Sequence, residues 1–276
     1  MTKPFFSIII PTLNEEKFLP HLLEDLSKQS FQDFEVIVVD GKSNDKTVVN
    51  AKSYTKLLPS LKIITSEKRH VCVQRNLGAE LAISEWLIFM DADNRLPSYF
   101  LQGIKYRLES DVCDIASTWI APEKSSPPYK IVASTVNIFY ETEMSLSDFP
   151  SILESMIIIK KSFFERVNGF NADVNLGEGR VIIQSVRNLG GKLEIYKDPQ
   201  YTYSLRRLKN YGTLRTISAL VQNELLGLIG IKAPQKGYVQ KLYPMLGGGV
   251  YNSKYTINKK KVPKFLKNIQ GLLKEF

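Results

Sequence analysis

Cysteine is nearly absent: Cys72 and Cys113 are the only two in 276 residues, too few for a disulfide framework or a cysteine-rich zinc site. Both are expected as buried thiols. Histidine is as scarce, and His21 and His70 both precede the acidic motif described below, so no histidine from the C-terminal half can join a metal site there. No apolar run reaches the roughly 18–20 residues needed to span a bilayer, and the N-terminus lacks the basic start and apolar stretch of a secretory leader. A cytoplasmic setting is the expectation. Also missing are Gly-x-x-x-x-Gly-Lys-Ser/Thr and a Gly-x-Gly-x-x-Gly behind a strand, so P-loop hydrolases and dinucleotide-dependent oxidoreductases lose support. Gly247-Gly248-Gly249 follows no clear strand and reads as a turn.

What is present is an ordinary globular composition, 43% hydrophobic and 24% charged, able to bury a sizeable core. Lysine and arginine outnumber the acids 37 to 28, and the net charge of +9 suits an anionic partner. Charge alone does not choose among nucleotides, phosphorylated acceptors, lipid headgroups and nucleic acid.

Phe5 to Ile10 is a β-branched run stopped at Pro11, and Phe18, Leu22, Leu23 and Leu26 follow at helical spacing, which reads as strand, loop, helix. Glu35 to Val39 repeats the strand signal and stops at Asp40, before Gly41-Lys42-Ser43-Asn44-Asp45 supplies turn formers and caps for another helix. Leu61 to Thr65 is a third strand, Val73 to Ile83 a helix, and Trp86 to Met90 a fourth apolar run that halts at Asp91-Ala92-Asp93-Asn94. Such alternation predicts an α/β fold: a mainly parallel sheet covered on both faces, with functional loops at the carboxyl ends of its strands. Thr12 to Glu15, Asp40, and Asp91 to Asp93 each follow a strand and are expected along one edge. Farther along, Ile115 to Ile120 reads as a strand, Pro122 to Pro128 as a Ser/Pro-rich loop, and Ser151 to Lys160 as a strand. Lys161 to Val167 and Val181 to Leu189 read as helices, Lys192 to Tyr196 and Tyr201 to Leu205 as short strands, and Leu208 to Ile231 as largely helical.

Asp91 and Asp93 let one short loop present two carboxylates to a cation, hard oxygen ligands suited to magnesium or manganese. A solvated acidic turn has the same spelling, but the place behind a buried strand favours the ligand reading. Such a cation would bridge the phosphates of a nucleoside diphosphate and offset charge on the departing phosphate. Asp40 can accept hydrogen bonds from a base or ribose, or simply cap the next turn.

Ser7-Ile8-Ile9-Ile10-Pro11-Thr12-Leu13-Asn14-Glu15, then Phe34-Glu35-Val36-Ile37-Val38-Val39-Asp40-Gly41 with Ser43 and Asp45, resembles the opening of the family 2 glycosyltransferases. Arg75-Asn76-x-Gly78, followed by Trp86-Leu87-Ile88-Phe89-Met90-Asp91-Ala92-Asp93, is similar to the next two blocks of that family. The resemblance implies a GT-A fold, Rossmann-like, with a nucleotide-sugar-binding catalytic domain over 1–207 and a mainly helical C-terminal extension over 208–276. It implies that Pro11, Thr12, Glu15 and Asp40 hold the nucleoside and that Arg75 and Asn76 line the nucleotide pocket. Asp91 and Asp93 would contact ribose and a manganese or magnesium ion. The implied reaction moves a hexosyl-type sugar from a nucleotide-diphospho-sugar to a hydroxyl of a saccharide, lipid-linked or protein acceptor, with inversion, and no nucleic acid is involved.

Family members place a Gly-Phe-Asp/Asn stretch before a Glu-Asp pair whose Asp is the base. This sequence has Gly169-Phe170-Asn171, but then Gly177-Glu178-Gly179, so the base position is glycine. Glu178 is the nearest substitute, with Asp173 as a rival. The alternative function is a nucleotide-sugar binder that has lost transfer. A nucleotidyltransferase is disfavoured because Thr12 to Glu15 is acidic where that class carries a basic, glycine-rich segment. Tyr203-Ser204-Leu205-Arg206-Arg207 resembles a late segment whose basic residues approach the diphosphate; a solvated basic turn reads the same. At the C-terminus Phe265, Ile269, Leu272, Leu273 and Phe276 share a helical face near Lys259 to Lys261, Lys264 and Lys267. Packing on the catalytic domain is the expectation for that stripe, with an anionic membrane surface as the alternative.

Overall fold

Strands with continuous apolar stretches at their centres have no solvent face, and the computed structural model puts β-branched runs of this kind mid-sheet. It describes residues 3–147, 150–173, 177–204 and 206. Phe6–Thr12 (β1) lies between Phe34–Asp40 (β2) and Trp86–Met90 (β4), parallel to both, and β2 pairs in parallel with Leu61–Thr65 (β3). Ile8, Ile10, Val36, Val38 and Ile88 pack into one core, and Ile9, Ile37, Val39, Leu87 and Phe89 into a second on the opposite face. Full burial of each such side chain stabilises the fold by about 1.5–3 kcal/mol.

Leu19–Ser27 (α1), Thr47–Lys52 (α2), Phe100–Ser110 (α4) and Pro127–Leu146 (α5) contribute to the first core. Val71–Leu81 (α3), Lys161–Arg166 (α6) and Glu178–Asn188 (α7) contribute to the second. Gly78 lets α3 lie directly on β1, since a Cβ there would sit 2.4 Å from Ile9 Cγ2. The sheet is completed by Ile115–Ala121 (β5), Met156–Lys160 (β6) and Leu193–Thr202 (β7), giving seven strands among the described residues in the order β3-β2-β1-β4-β6-β5-β7. β6 is antiparallel to β4 and β5, while β5 and β7 are parallel.

That one reversal matters for the site. Met90, the last residue of β4, is opposite Met156, the first of β6, so the segment leading into β6 reaches the edge where β1, β2 and β4 end. At the same edge Thr12 is beside Asp40. The amino edge holds a different polar cluster: buried Glu35 accepts from Ser7 Oγ (2.6 Å), Ile83 N–H (2.9 Å) and Lys62 Nζ (2.9 Å).

The GT-A-like α/β sheet matches the expectation, with shifted boundaries. Only Met156–Lys160 of the expected 151–160 strand pairs, so residues 151–155 form an approach loop. Helix α7 opens at Glu178 rather than Val181, which takes Glu178 and Gly179 into its first turn. The two short strands expected after residue 192 are one strand, β7, and the Ser/Pro-rich loop ends where Pro127 opens the 20-residue α5. No helix of the described residues is long and apolar enough to cross a membrane. The 207/208 boundary, the helix from Leu208, the glycine triplet and the C-terminal stripe lie outside the described residues.

Candidate functional site

The strand-end loops are tied to one another before any ligand arrives. Gly41 N–H donates to Thr12 O (2.8 Å), and the buried Gln74 amide donates to both Thr12 O (2.9 Å) and Val39 O (2.7 Å). Asn14 takes a left-handed φ of 56°, which lets its N–H reach Ser43 Oγ (2.8 Å) and its side-chain oxygen accept from Asn44 N–H (2.8 Å). Asp40 is 3% exposed and accepts from Ser43 N–H (2.9 Å) and Ser43 Oγ (2.5 Å). Its carboxylate therefore caps the following turn in this state. Pro11, the penultimate residue of β1, is half-buried. Gln74 was not singled out by the sequence reading, because a glutamine inside a helix carries no local signal.

The second group gathers two acids, Glu15 and Asp93, around one arginine. Arg206 grips Glu15 with two parallel bonds (2.7 and 2.6 Å), reaches Asp93 Oδ2 with Nε (2.8 Å), and lies over the Phe18 ring at 4.7 Å. Burial pushes the Glu15 carboxyl up to about 7 against the pull of Arg206, helped by the charges of Asp93 and Asp91. The acidic turn is anchored to the β6 approach loop: Ser155 O accepts from Asp91 N–H (3.1 Å) and the Asn94 amide (2.6 Å), and Ser155 Oγ meets the Tyr201 hydroxyl at 2.7 Å.

The third group lies directly behind it. Arg75, 2% exposed, donates through Nη2 to Asp91 Oδ1 (3.2 Å) and Glu154 O (2.8 Å), and through Nη1 to Glu178 Oε1 (3.0 Å). Phe170 packs 5.2 Å from the guanidinium. Asn76 fixes Phe170 by a reciprocal pair, its amide donating to Phe170 O (2.8 Å) and its oxygen accepting from Phe170 N–H (2.9 Å). Burial and the adjacent Glu178 charge hold the Glu154 carboxyl well above the usual carboxylate range.

Of the residues nominated from sequence, Thr12, Asp40, Glu15, Asp91, Asp93, Arg75 and Glu178 thus fall along one edge of the sheet. Asn76 spends its side chain on Phe170. Asp173 sits on an exposed turn, its N–H bonded to Asn171 Oδ1 (2.8 Å). His70 caps α3 by accepting from Cys72 N–H (3.2 Å), and His21 is exposed on α1. Both cysteines are buried thiols outside any disulfide, with burial pushing each up to about 12. Glu154 was missed because sequence placed it inside a strand, where nothing distinguishes it from any edge glutamate.

Two carboxylates on one short loop, beside a third acid that burial and their charge drive toward the neutral form, make a site short of positive charge. That donor set fits a hard divalent cation. Among the described residues no cluster of three or more such side chains is built for a metal, so phosphate oxygens and water would complete the shell.

The model of "Glycosyl transferase family 2" matches residues 7–167. A PGL/p-HBAD biosynthesis glycosyltransferase of Mycobacterium tuberculosis is 40% identical over 97 residues, 35% of this chain and 38% of that protein, so the chain spans well under half of that relative. An uncharacterized glycosyltransferase of Haemophilus influenzae is 38% identical over 236 residues, 79% of this chain and 71% of that one. Among solved structures, the mannosyltransferase PcManGT from Pyrobaculum calidifontis, in complex with GDP-Man and Mn2+, superposes with a TM-score of 0.65 at 20% identity, covering 91% of this chain and 70% of that one. TarS 1-349 of S. aureus in complex with UDP-GlcNAc gives 0.56 at 20% identity, covering 88% and 70%. The structural likenesses establish the GT-A architecture; the family match over more than half the sequence, with the Haemophilus relative, establishes that the chain belongs to glycosyltransferase family 2.

Proposed function

We propose that the protein transfers a sugar from a nucleoside-diphosphate sugar to an acceptor hydroxyl by a single, inverting displacement. The observation that carries this reading is the alignment of Thr12, Asp40, Glu15, Asp91 and Asp93 on the carboxyl edge of the sheet, backed by Arg75 and Arg206. Solved neighbours hold UDP-GlcNAc, or GDP-Man with Mn2+, which supports a nucleotide-sugar donor. In this reading Pro11, Thr12 and Asp40 form the nucleoside end, with Asn76 supporting the pocket through Phe170. Asp91 and Asp93 would hold manganese or magnesium, which when bound neutralises the diphosphate and stabilises it as a leaving group.

The remaining work falls to the chain. Arg75 orients Asp91, and Arg206 must exchange at least one of its carboxylate partners for phosphate when donor binds, since an arginine fork serves either anion equally well. The proton acceptor is assigned to the acidic pair at the start of α7, for which Glu178 is the sequence nominee. The acceptor is a saccharide, a lipid-linked molecule or a protein, met from the cytoplasm, with residues 208–276 as a separate extension that supplies any membrane contact.

Calorimetry with UDP and GDP tests the donor end. Binding should need manganese, and Asp93→Ala should weaken it more than about tenfold by removing a ligand carboxylate. Equal affinity in EDTA would remove the cation from this reading. A second reading, a binder without transfer, is motivated by Gly179; it predicts the same affinities and no nucleotide release from any sugar donor.

A further inference from the structure

A glycine in the first turn of a helix, buried and at an ordinary φ, needs a reason, because it weakens the helix by about 0.5–1 kcal/mol relative to alanine. For Gly179 the reason is a neighbour. A Cβ there would lie 2.7 Å from Glu154 Cγ and 3.2 Å from Glu154 Oε1. The direction in which a side chain at 179 would project is already filled by the Glu154 carboxyl, arriving from the loop before β6. The contact is also bonded: Glu154 Oε1 accepts from Gly179 N–H at 2.8 Å, serving a helix whose own N-cap, Gly177, has no side chain to offer.

Two carboxyls therefore compete for the role of base, and their surroundings differ. Glu178 is 5% exposed, its Oε1 is committed to Arg75, and its Oε2 is buried with no fixed donor. Glu154 as a residue is less buried than Glu178, although its carboxyl is enclosed enough for burial to raise it. It also stands one residue before Ser155, whose carbonyl holds the Asp91 turn.

We infer that Glu154 is the proton-accepting residue, occupying the space that glycine at 179 leaves open, while Glu178 is a positioning residue that holds Arg75. The assignment rests on the transferase reading above. In the step it implies, the acceptor oxygen bonds to the anomeric carbon as its proton passes to the Glu154 carboxylate. The bond from that carbon to the phosphate oxygen breaks, and its electron pair leaves on the nucleoside diphosphate. Once ionised, a carboxyl raised by burial is a stronger base than a free one, and it is this ionised form of Glu154 that takes the proton.

The competing explanation is that Glu154 only caps α7, and glutamine separates the two. Glu154→Gln keeps an acceptor oxygen for Gly179 N–H but cannot take the proton. The assay follows UDP or GDP release from a panel of UDP- and GDP-sugars, including UDP-GlcNAc and GDP-mannose, with manganese and with water as acceptor. For Glu154→Gln, release should fall by about 10²- to 10⁴-fold, with nucleotide affinity and melting temperature unchanged. Glu178→Gln should act on donor KM through Arg75 and Asp91 more than on kcat. Glu154→Ala/Gly179→Asp, which moves the carboxyl across the same gap, should recover activity over Glu154→Ala alone. Wild-type-like release by Glu154→Gln, or a kcat loss confined to Glu178→Gln, would overturn the assignment and leave the transferase reading standing. A wild type that binds nucleotide but releases none from any donor would overturn both.

Discussion

The two edges of the sheet treat buried glutamates in opposite ways. At the amino edge Glu35 meets a hydroxyl, a backbone N–H and a lysine, and although burial raises its carboxyl, these three donors outweigh it and leave it below the usual range. At the carboxyl edge Glu15 and Glu154 are raised, because burial there is joined by neighbouring carboxylates. A polar group serving only the fold is satisfied within the fold. The acids of the carboxyl edge are left short of donors and cations, which is the condition for recruiting a charged ligand.

The largest effect should come from breaking the carboxyl edge where it is internally compensated. Arg75→Ala would strand Glu178 and part of Asp91 without their cation, a loss of about 3–5 kcal/mol for a broken buried pair. Urea unfolding should show it. A loss under about 1 kcal/mol would mean that the acids simply protonate, and that the two edges differ less than the contacts imply.

Next comes the amino edge itself. Glu35→Ala leaves Ile83 N–H without its acceptor and Lys62 without its anion, costing about 1–3 kcal/mol, while nucleotide affinity stays unchanged. Altered affinity would show that the edges are coupled through the strands.

The contrast between the edges was only half legible in sequence. β1, β2 and β4 were readable because each is a largely apolar run buried on both faces and stopped at Pro11, Asp40 or Asp91, and that alone aligns the acids. Helix α5 was not readable: Pro127 and Pro128 look like a loop, and exposed Ile131 and Ile138 blur the apolar stripe. Glu154 could not be found because its meaning depends on β6 running antiparallel, which carries residue 154 to a helix start 25 residues later. The Arg206–Glu15 pair spans 191 residues and has no local trace at all.

The finest test compares Glu15 and Glu35 through pH. Glu15 has a folded value near 7 against an ordinary value of 4.5. Its contribution to stability is fully present below about 4.5 and is lost as pH rises through about 7, because ionising it inside the fold costs more than in the unfolded chain. Glu35, held below 4.5, behaves in reverse: its contribution is present above that value and is lost as pH falls through its folded value. In metal-free buffer, the stability of wild type relative to Glu15→Gln should therefore fall by about 2–3 kcal/mol between pH 4.5 and 7 and level off above. Wild type relative to Glu35→Gln should change only on the acid side of 4.5, with the opposite slope. Urea titrations at several pH values read both differences. Parallel curves for wild type and Glu15→Gln would mean that the Arg206 fork holds Glu15 ionised throughout, and the carboxyl edge would then be as fully compensated as the amino edge.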